Sequence, residues 1–238
     1  MTTFLAEQAG RVVSIEIDPR MAELASQATA RFTNVRIRNI DALRNKNHLA
    51  DELLSDVRAA LAEIPEARLK LVANLPYCVA TPVISNLIAT DLPWTKMVVT
   101  VQYEMAERMA AAPGGDQYSG LAVWLQAQAD VQILKKLGPT VFWPRPKVDS
   151  AVVQVDRNFT KQAGIADRAG FQEFIRTLFT QRRKALRTVL AGMYKGRIDK
   201  AGLDQVLAGL GLEETIRAER LTPEILVRLA SAIGVAAG

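Results

Sequence analysis

The stretch Leu71-Val72-Ala73-Asn74-Leu75-Pro76-Tyr77 runs an apolar segment into the polar tetrapeptide Asn-Leu-Pro-Tyr. A short apolar run stopped by a Pro-containing turn reads as a strand, and in an open α/β sheet ligands collect beyond the carboxyl ends of the strands. Asn74 offers an amide acceptor, Pro76 fixes φ and lacks an N–H, and Tyr77 offers a flat face. That combination suits a planar amino group on a flat ring. The same four residues also fit an Asx turn followed by a packed tyrosine, so the neighbouring segments have to decide.

Upstream, residues 12–17 form a β-branched run that reads as a strand, and Asp18-Pro19 reads as the N-cap and first residue of a helix to about residue 30. A helix end over residues 4–9, closed by Gly10, precedes that strand. A second strand covers 35–37 and ends near Asn39-Ile40-Asp41; a helix over 49–63 leads to the strand 69–73. Thr81-Pro82 is expected to open the next helix, to about residue 89, ahead of a strand over 97–101. Alternation of this kind implies a mainly parallel sheet with right-handed crossovers. A helix over 104–112, a loop at 113–116 and a helix to 128 follow. Strands at 131–134 and 151–155, joined by the Pro-rich connection 139–146 without a helix, predict an antiparallel end to a sheet of six strands.

Beyond Asp156 the pattern is helical throughout, which places a domain boundary near residue 160 and divides the chain into 1–160 and 161–238. Residues 1–150 hold 16 Lys and Arg against 16 Asp and Glu, while 151–238 hold 14 against 9, so the net charge of +5 lies in the last third. A neutral body with a basic appendage suits a polyanionic partner, although a solvated basic face has the same composition. A long helix from Phe171 buries Phe171, Phe174, Ile175, Leu178, Leu186 and Val189 at helical spacing. On that wheel Arg176, Arg183 and Arg187 share another face with Lys184 nearby, a phosphate-binding ridge, while Arg182 falls close to the apolar face, a position open to a structural role as well as to RNA.

With 238 residues, 49% of them hydrophobic, the chain can bury a large core, and no apolar run approaches a membrane span. The first residues lack a basic leader and a long apolar region, so the expected location is the cytoplasm. Cys78 is the single cysteine; it has no disulfide partner or local companion for a metal site and reads as a packing residue. His48 lies in the polar stretch 44–48, read as a surface loop without chemistry.

Three polar residues fall at the ends of successive strands: Glu16, Asp41 and Asn74. A carboxylate so placed in a doubly wound sheet commonly binds ribose hydroxyls, which suits Glu16, while Asp18 is better explained as a helix cap. Asp41 can accept from an adenine amino group or cap a helix. Taken with Asn-Leu-Pro-Tyr and with Val13-Ser14-Ile15-Glu16-Ile17-Asp18, Asp41-Ala42, Thr81-Pro82, Phe142-Trp143-Pro144-Arg145-Pro146-Lys147-Val148-Asp149-Ser150, Phe179-Thr180-Gln181-Arg182-Arg183-Lys184-Ala185-Leu186-Arg187, Arg217-Ala218-Glu219 and Leu221-Thr222-Pro223-Glu224, the chain resembles the ribosomal RNA adenine dimethyltransferases, in their bacterial small-subunit branch.

The resemblance implies an α/β fold: a Rossmann-like S-adenosylmethionine-dependent methyltransferase sheet with a small all-α C-terminal domain. It implies that Glu16 binds the ribose of S-adenosylmethionine and that Asp41, with the backbone at Ala42, reads its adenine. Asn74 and the carbonyl of Leu75 would hold the target N6 amino group, Pro76 would shape the turn, and Tyr77 and Phe142 would stack on a flipped base. Arg176, Arg182, Arg183, Lys184 and Arg187 would face ribosomal RNA of the small ribosomal subunit, bound by a monomer without a membrane. The family's first strand and Gly-rich loop are missing from this sequence, so a truncated chain with a gap in its sheet and weak cofactor binding is expected. Cys78 stands where an Asn is expected. The rival readings are the large-subunit branch and a non-catalytic ribosome-assembly factor.

Overall fold

Residues 1–237 are described by a computed structural model, in two compact units: Met1–Lys70 with Cys78–Thr95, and Leu71–Tyr77 with the chain from Lys96 onward. The elements of the first half are α1 (Thr2–Ala6), β1 (Val12–Ile15), α2 (Pro19–Thr29), β2 (Val35–Arg38), β3 (Leu43–Asn45), β4 (His48–Leu49), α3 (Asp51–Ala62), β5 (Leu69–Asn74) and α4 (Tyr77–Ala89). They are followed by β6 (Trp94–Gln102), α5 (Tyr103–Ala110), α6 (Gly120–Gln126), β7 (Ala129–Leu137), β8 (Ser150–Arg157), α7 (Phe159–Ala163), α8 (Arg168–Phe179), α9 (Leu186–Met193), α10 (Lys200–Gly209) and α11 (Pro223–Ala237).

In the first unit the β-branched residues of β1 and β2 pair in parallel, from Val12 opposite Val35 to Ile15 opposite Arg38. The expected cap is in place: the Asp18 carboxylate accepts from the N–H groups of Arg20 and Met21 at 2.8 and 3.2 Å, with Pro19 as the first helical residue. Asp56 on α3 is buried and ion-paired with Arg36 and Arg38 of β2 at 3.0 and 2.9 Å, so its charge does not stand alone in the interior. Residues 43–49 are a short β3–β4 hairpin rather than the expected loop. Asn45 Oδ1 accepts from the Asn47 N–H and meets His48 Nδ1 at 2.9 Å, the turn chemistry of a short polar side chain.

α4 begins at Tyr77, four residues before the expected start, and carries Pro82 inside it. A proline there removes one helical hydrogen bond. Ala80, Val83, Ile84, Leu87 and Ile88 are all buried, and packing of that face outweighs the loss.

In the second unit the sheet order is β5-β6-β8-β7. Leu69 N–H donates to the Pro93 carbonyl before β6 and Leu75 N–H to the Thr100 carbonyl near its end, so β5 and β6 run the same way. β8 lies antiparallel to both β6 and β7, as the helix-free connection predicts. The mainly parallel sheet of six strands is thus corrected. The β1–β2 ladder is a separate pair, the β5-β6-β8-β7 sheet is mixed, and the described residues hold eight strands in all. Met97, Val99 and Val101 of β6 and Ala151, Val153 and Val155 of β8 are almost wholly buried, the period-2 pattern of one packed face.

The helices after β8 cover a second apolar cluster, in which Trp124 meets Phe171 at 6.2 Å and Tyr118 meets Phe179 edge-on at 5.8 Å. The single long helix expected from Phe171 is not formed. α8 ends at Phe179, residues 180–185 turn, and α9 starts at Leu186. Among the described residues no helix is long and apolar enough to cross a membrane.

Candidate active site

The tetrapeptide at the end of β5 is fastened to the sheet from two sides. Leu75 is buried and its N–H donates to the Thr100 carbonyl at 3.2 Å; Tyr77 Oη lies 2.7 Å from Ser150 Oγ. Ser150 is fully buried at the start of β8, paired with Gln102 on one side and Leu137 on the other. Asn74 and Pro76, between these anchors, are exposed. The amide of Asn74 is therefore free to meet a ligand while the residues after it are tied down, an arrangement suited to fixing the position of a bound amino group. Tyr77 is half-buried, so neither extreme of the core reading applies.

Beside Ser150 the same strand ends carry a charged cluster. Tyr103 N–H donates to the Asp149 carbonyl at 2.9 Å, Lys136 Nζ meets the Asp149 carboxylate at 2.8 Å, and the ammonium stands 4.1 Å from the centre of the Tyr103 ring. The hydrogen bond to Asp149 holds the Lys136 ammonium above its ordinary pKa. Phe142 is half-buried, its N–H on the Pro139 carbonyl at 3.3 Å. Among the described residues Phe142 and Tyr77 do not stack on each other.

In the first unit, Glu16 and Asp41 follow the ends of the paired strands β1 and β2. Glu16 is half-buried, its N–H donates to Arg38, and its Oε1 accepts the Asp18 N–H at 2.9 Å. Asp41 is exposed and accepts the Leu43 N–H at 2.8 Å, an Asx turn into β3, so the alternative of a helix cap is excluded. Ala42 accepts from the Ala50 N–H at 3.0 Å through its carbonyl. Asn39, given no role by the sequence reading, donates to the carbonyls of Glu16 and Ile17 at 2.8 and 3.0 Å and pins the two strand ends together. Ser150 was visible in the Pro-rich motif, but nothing local showed which side chain it would meet.

The face expected to carry Arg176, Arg183 and Arg187, with Lys184 nearby, is interrupted by the break between α8 and α9. Arg176 bonds Glu173, and Arg187 makes two hydrogen bonds to the Asp204 carboxylate at 2.5 and 2.8 Å. Those bonds hold Asp204 below, and Arg187 above, its ordinary pKa. Arg182 is structural: it donates to the carbonyls of Tyr118 and Asp116. Ala185 bridges Arg217 and Leu186 N–H donates to the Ile216 carbonyl at 2.7 Å, which closes the turn from its other end. Arg183 and Lys184 stand exposed between these anchors, without an ion pair among the described residues. Cys78, read as a packing residue, is exposed on the first turn of α4, where the buried face begins only at Ala80.

Residues 1–225 match the family profile described as ribosomal RNA adenine dimethylase. The chain belongs to that family. It is 33% identical over 236 residues to the ribosomal RNA small subunit methyltransferase A of Ligilactobacillus salivarius (strain UCC118), covering 98% of this chain and 76% of that one. Against the protein of the same name from Pediococcus pentosaceus the identity is 34% over 237 residues, 99% of this chain and 77% of the other. Among solved structures, a dimethyladenosine transferase from Plasmodium falciparum superposes with a TM-score of 0.80 at 22% identity, covering 99% of this chain and 86% of that one. The 23S rRNA methyltransferase ErmE does so with 0.65 at 19% identity, over 98% and 86%. The fold is thus the α/β fold of this family's methyltransferases, a mixed sheet with helices.

Proposed function

We propose that this protein transfers methyl groups from S-adenosylmethionine to the N6 nitrogen of adenines in small-subunit ribosomal RNA, dimethylating them during ribosome assembly in the cytoplasm. The observation that carries the reading is the fastened tetrapeptide: an exposed Asn74 amide beside a Leu75 N–H held by the Thr100 carbonyl and a Tyr77 side chain held by Ser150. Family membership and the small-subunit names of its relatives set the substrate class.

S-adenosylmethionine supplies a methyl group on a sulfonium, which leaves as a neutral thioether once N6 takes the methyl. The chain's part is positioning and electrostatics. An adenine N6 lone pair is delocalised into the ring. Acceptors on its two N–H groups, the Asn74 side-chain oxygen and the Leu75 carbonyl, favour the pyramidal nitrogen whose lone pair can attack. No strong base is needed first, because the methylated nitrogen loses its proton to water afterwards. Tyr77 and Phe142 would offset the stacking lost when the base leaves its helix. Glu16 and Asp41 fit the cofactor's donors: a half-buried carboxylate for the ribose hydroxyls and an exposed one, beside the Ala42 backbone, for the adenine amino group. Residues 1–160 would carry out the chemistry. Residues 161–238 would hold RNA, with Arg183 and Lys184 as the phosphate contacts and Arg176, Arg182 and Arg187 as their supports.

The test is incubation of the protein, as a monomer, with immature small subunits and cofactor labelled in its methyl group. Label recovered on N6 of adenine is the expected result. Binding to the subunits without label would instead make the protein an assembly factor, and in a parallel incubation with large-subunit RNA, label there and none on the small subunits would move it to the other branch.

A further inference from the structure

The connection between β7 and β8 carries an aromatic side chain that the chemistry above does not use. Of the three tryptophans, Trp94 and Trp124 are buried, whereas Trp143 is 95% exposed. Val141 and Val148 are exposed on the same connection, and so are Arg145 and Lys147, neither of which has an ion pair among the described residues. An indole left in water exposes a large apolar face, which folding alone does not favour. Here the backbone also keeps it there. Pro139, Pro144 and Pro146 restrict φ, and the short helical turn at Pro139–Val141 leads directly into Phe142 and Trp143.

We infer that Trp143 is a second stacking platform, which receives an unpaired RNA base flanking the target adenine while Arg145 and Lys147 hold successive phosphates of the strand beside it. The chemistry favours a single-stranded nucleic acid over a protein surface. Two cations at alternate positions, with an aromatic face two residues before the first, match the spacing of bases and phosphates along one strand. An apolar protein patch would leave both cations to be desolvated without partners. The connection also ends at Asp149 and Ser150, the residues that anchor Tyr103 and Tyr77, so the platform is covalently continuous with the proposed base clamp. Phe142 is assigned to the target base itself; Trp143, next in the chain, takes its neighbour. The inference rests on the proposed RNA reading and adds which residue positions the substrate strand.

Because the other two tryptophans are buried, fluorescence isolates Trp143. The full chain is titrated with a short single-stranded RNA containing adjacent adenines, and iodide access to the emission is measured with and without it. Expected is loss of the iodide-accessible component on saturation, and a fivefold or greater weakening of RNA binding in Trp143→Ala, the scale of one lost stacked base. Trp143→Phe should restore most of the affinity. If RNA binds with Trp143 still open to iodide, the platform is refuted and the methyltransferase reading stands. Absence of any RNA binding overturns both. Shielding by complete small subunits but not by RNA would make the loop a protein-docking surface and overturn the inference.

Discussion

Tyr77 Oη and Ser150 Oγ meet at 2.7 Å across 73 positions of sequence, and their burial is unequal: Ser150 is sealed, Tyr77 is half-exposed. The two substitutions should therefore differ. Tyr77→Phe leaves a buried hydroxyl without its partner and should cost about 1–3 kcal/mol of stability, whereas Ser150→Ala leaves a tyrosine that can reach water and should cost about 1 kcal/mol. Urea denaturation of both variants checks the order, and equal losses would contradict it.

Asn74 is exposed, so its replacement should hardly touch the fold. Asn74→Ala is expected to unfold within about 0.5 kcal/mol of the parent, to bind RNA nearly as well and to lose methyl transfer. Labelled-methyl incorporation measured beside an RNA-binding isotherm separates these effects. Retained transfer would remove Asn74 from the reaction.

The broken helix separates two kinds of arginine. Changing Arg183 and Lys184 together to Ala should lower the salt slope of RNA binding by about two, roughly one per phosphate contact, with stability unchanged. Arg187→Ala should instead destabilise the helical region by freeing Asp204, with the salt slope kept. Binding isotherms over a range of salt, with thermal melts alongside, show which residues face RNA.

Asp130 accepts hydrogen bonds from Lys161 and Asn158, and these hold its carboxyl below the ordinary 3.8. A carboxylate depressed in the folded state binds protons first in the unfolded one. Its contribution is thus complete above the ordinary carboxylate value and fades as pH falls through that value towards the folded one. Stability of the parent minus that of Asp130→Asn should be constant near neutrality and shrink below about pH 4. A difference that grows on acidification would reverse the sign of the coupling.

Gly114 has φ of +81°, and its N–H donates to the Glu219 carbonyl at 2.7 Å in the loop whose Asp116 and Tyr118 carbonyls hold Arg182. A Cβ there would lie 2.9 Å from Arg220 Nη1 as well as straining the backbone. Gly114→Ala should cost about 1 kcal/mol or more and loosen the 180–185 turn, which hydrogen exchange at Leu186 would report.

What the sequence determined by itself was local. The apolar and β-branched runs of β1, β2, β5, β6 and β8, the Asp18 cap with Pro19, and the Pro-rich approach to an antiparallel β8 without a crossover helix all depend on neighbours in the chain, and they could be read there. The site residues were legible as residue types at strand ends, since a strand's carboxyl end is marked by where its apolar run stops. The tertiary structure decided the rest. The apolar spacing that ends at Leu178 resumes in helical phase at Leu186 and Val189, yet Arg182 is drawn to the carbonyls of Asp116 and Tyr118, and Leu186 to that of Ile216, so the helix breaks. Asp204 claims Arg187 in the same way, and Ser150 claims Tyr77. Each of these bonds joins positions well apart in the chain, and the meeting of its partners depends on the tertiary packing, which leaves no periodic mark in the sequence.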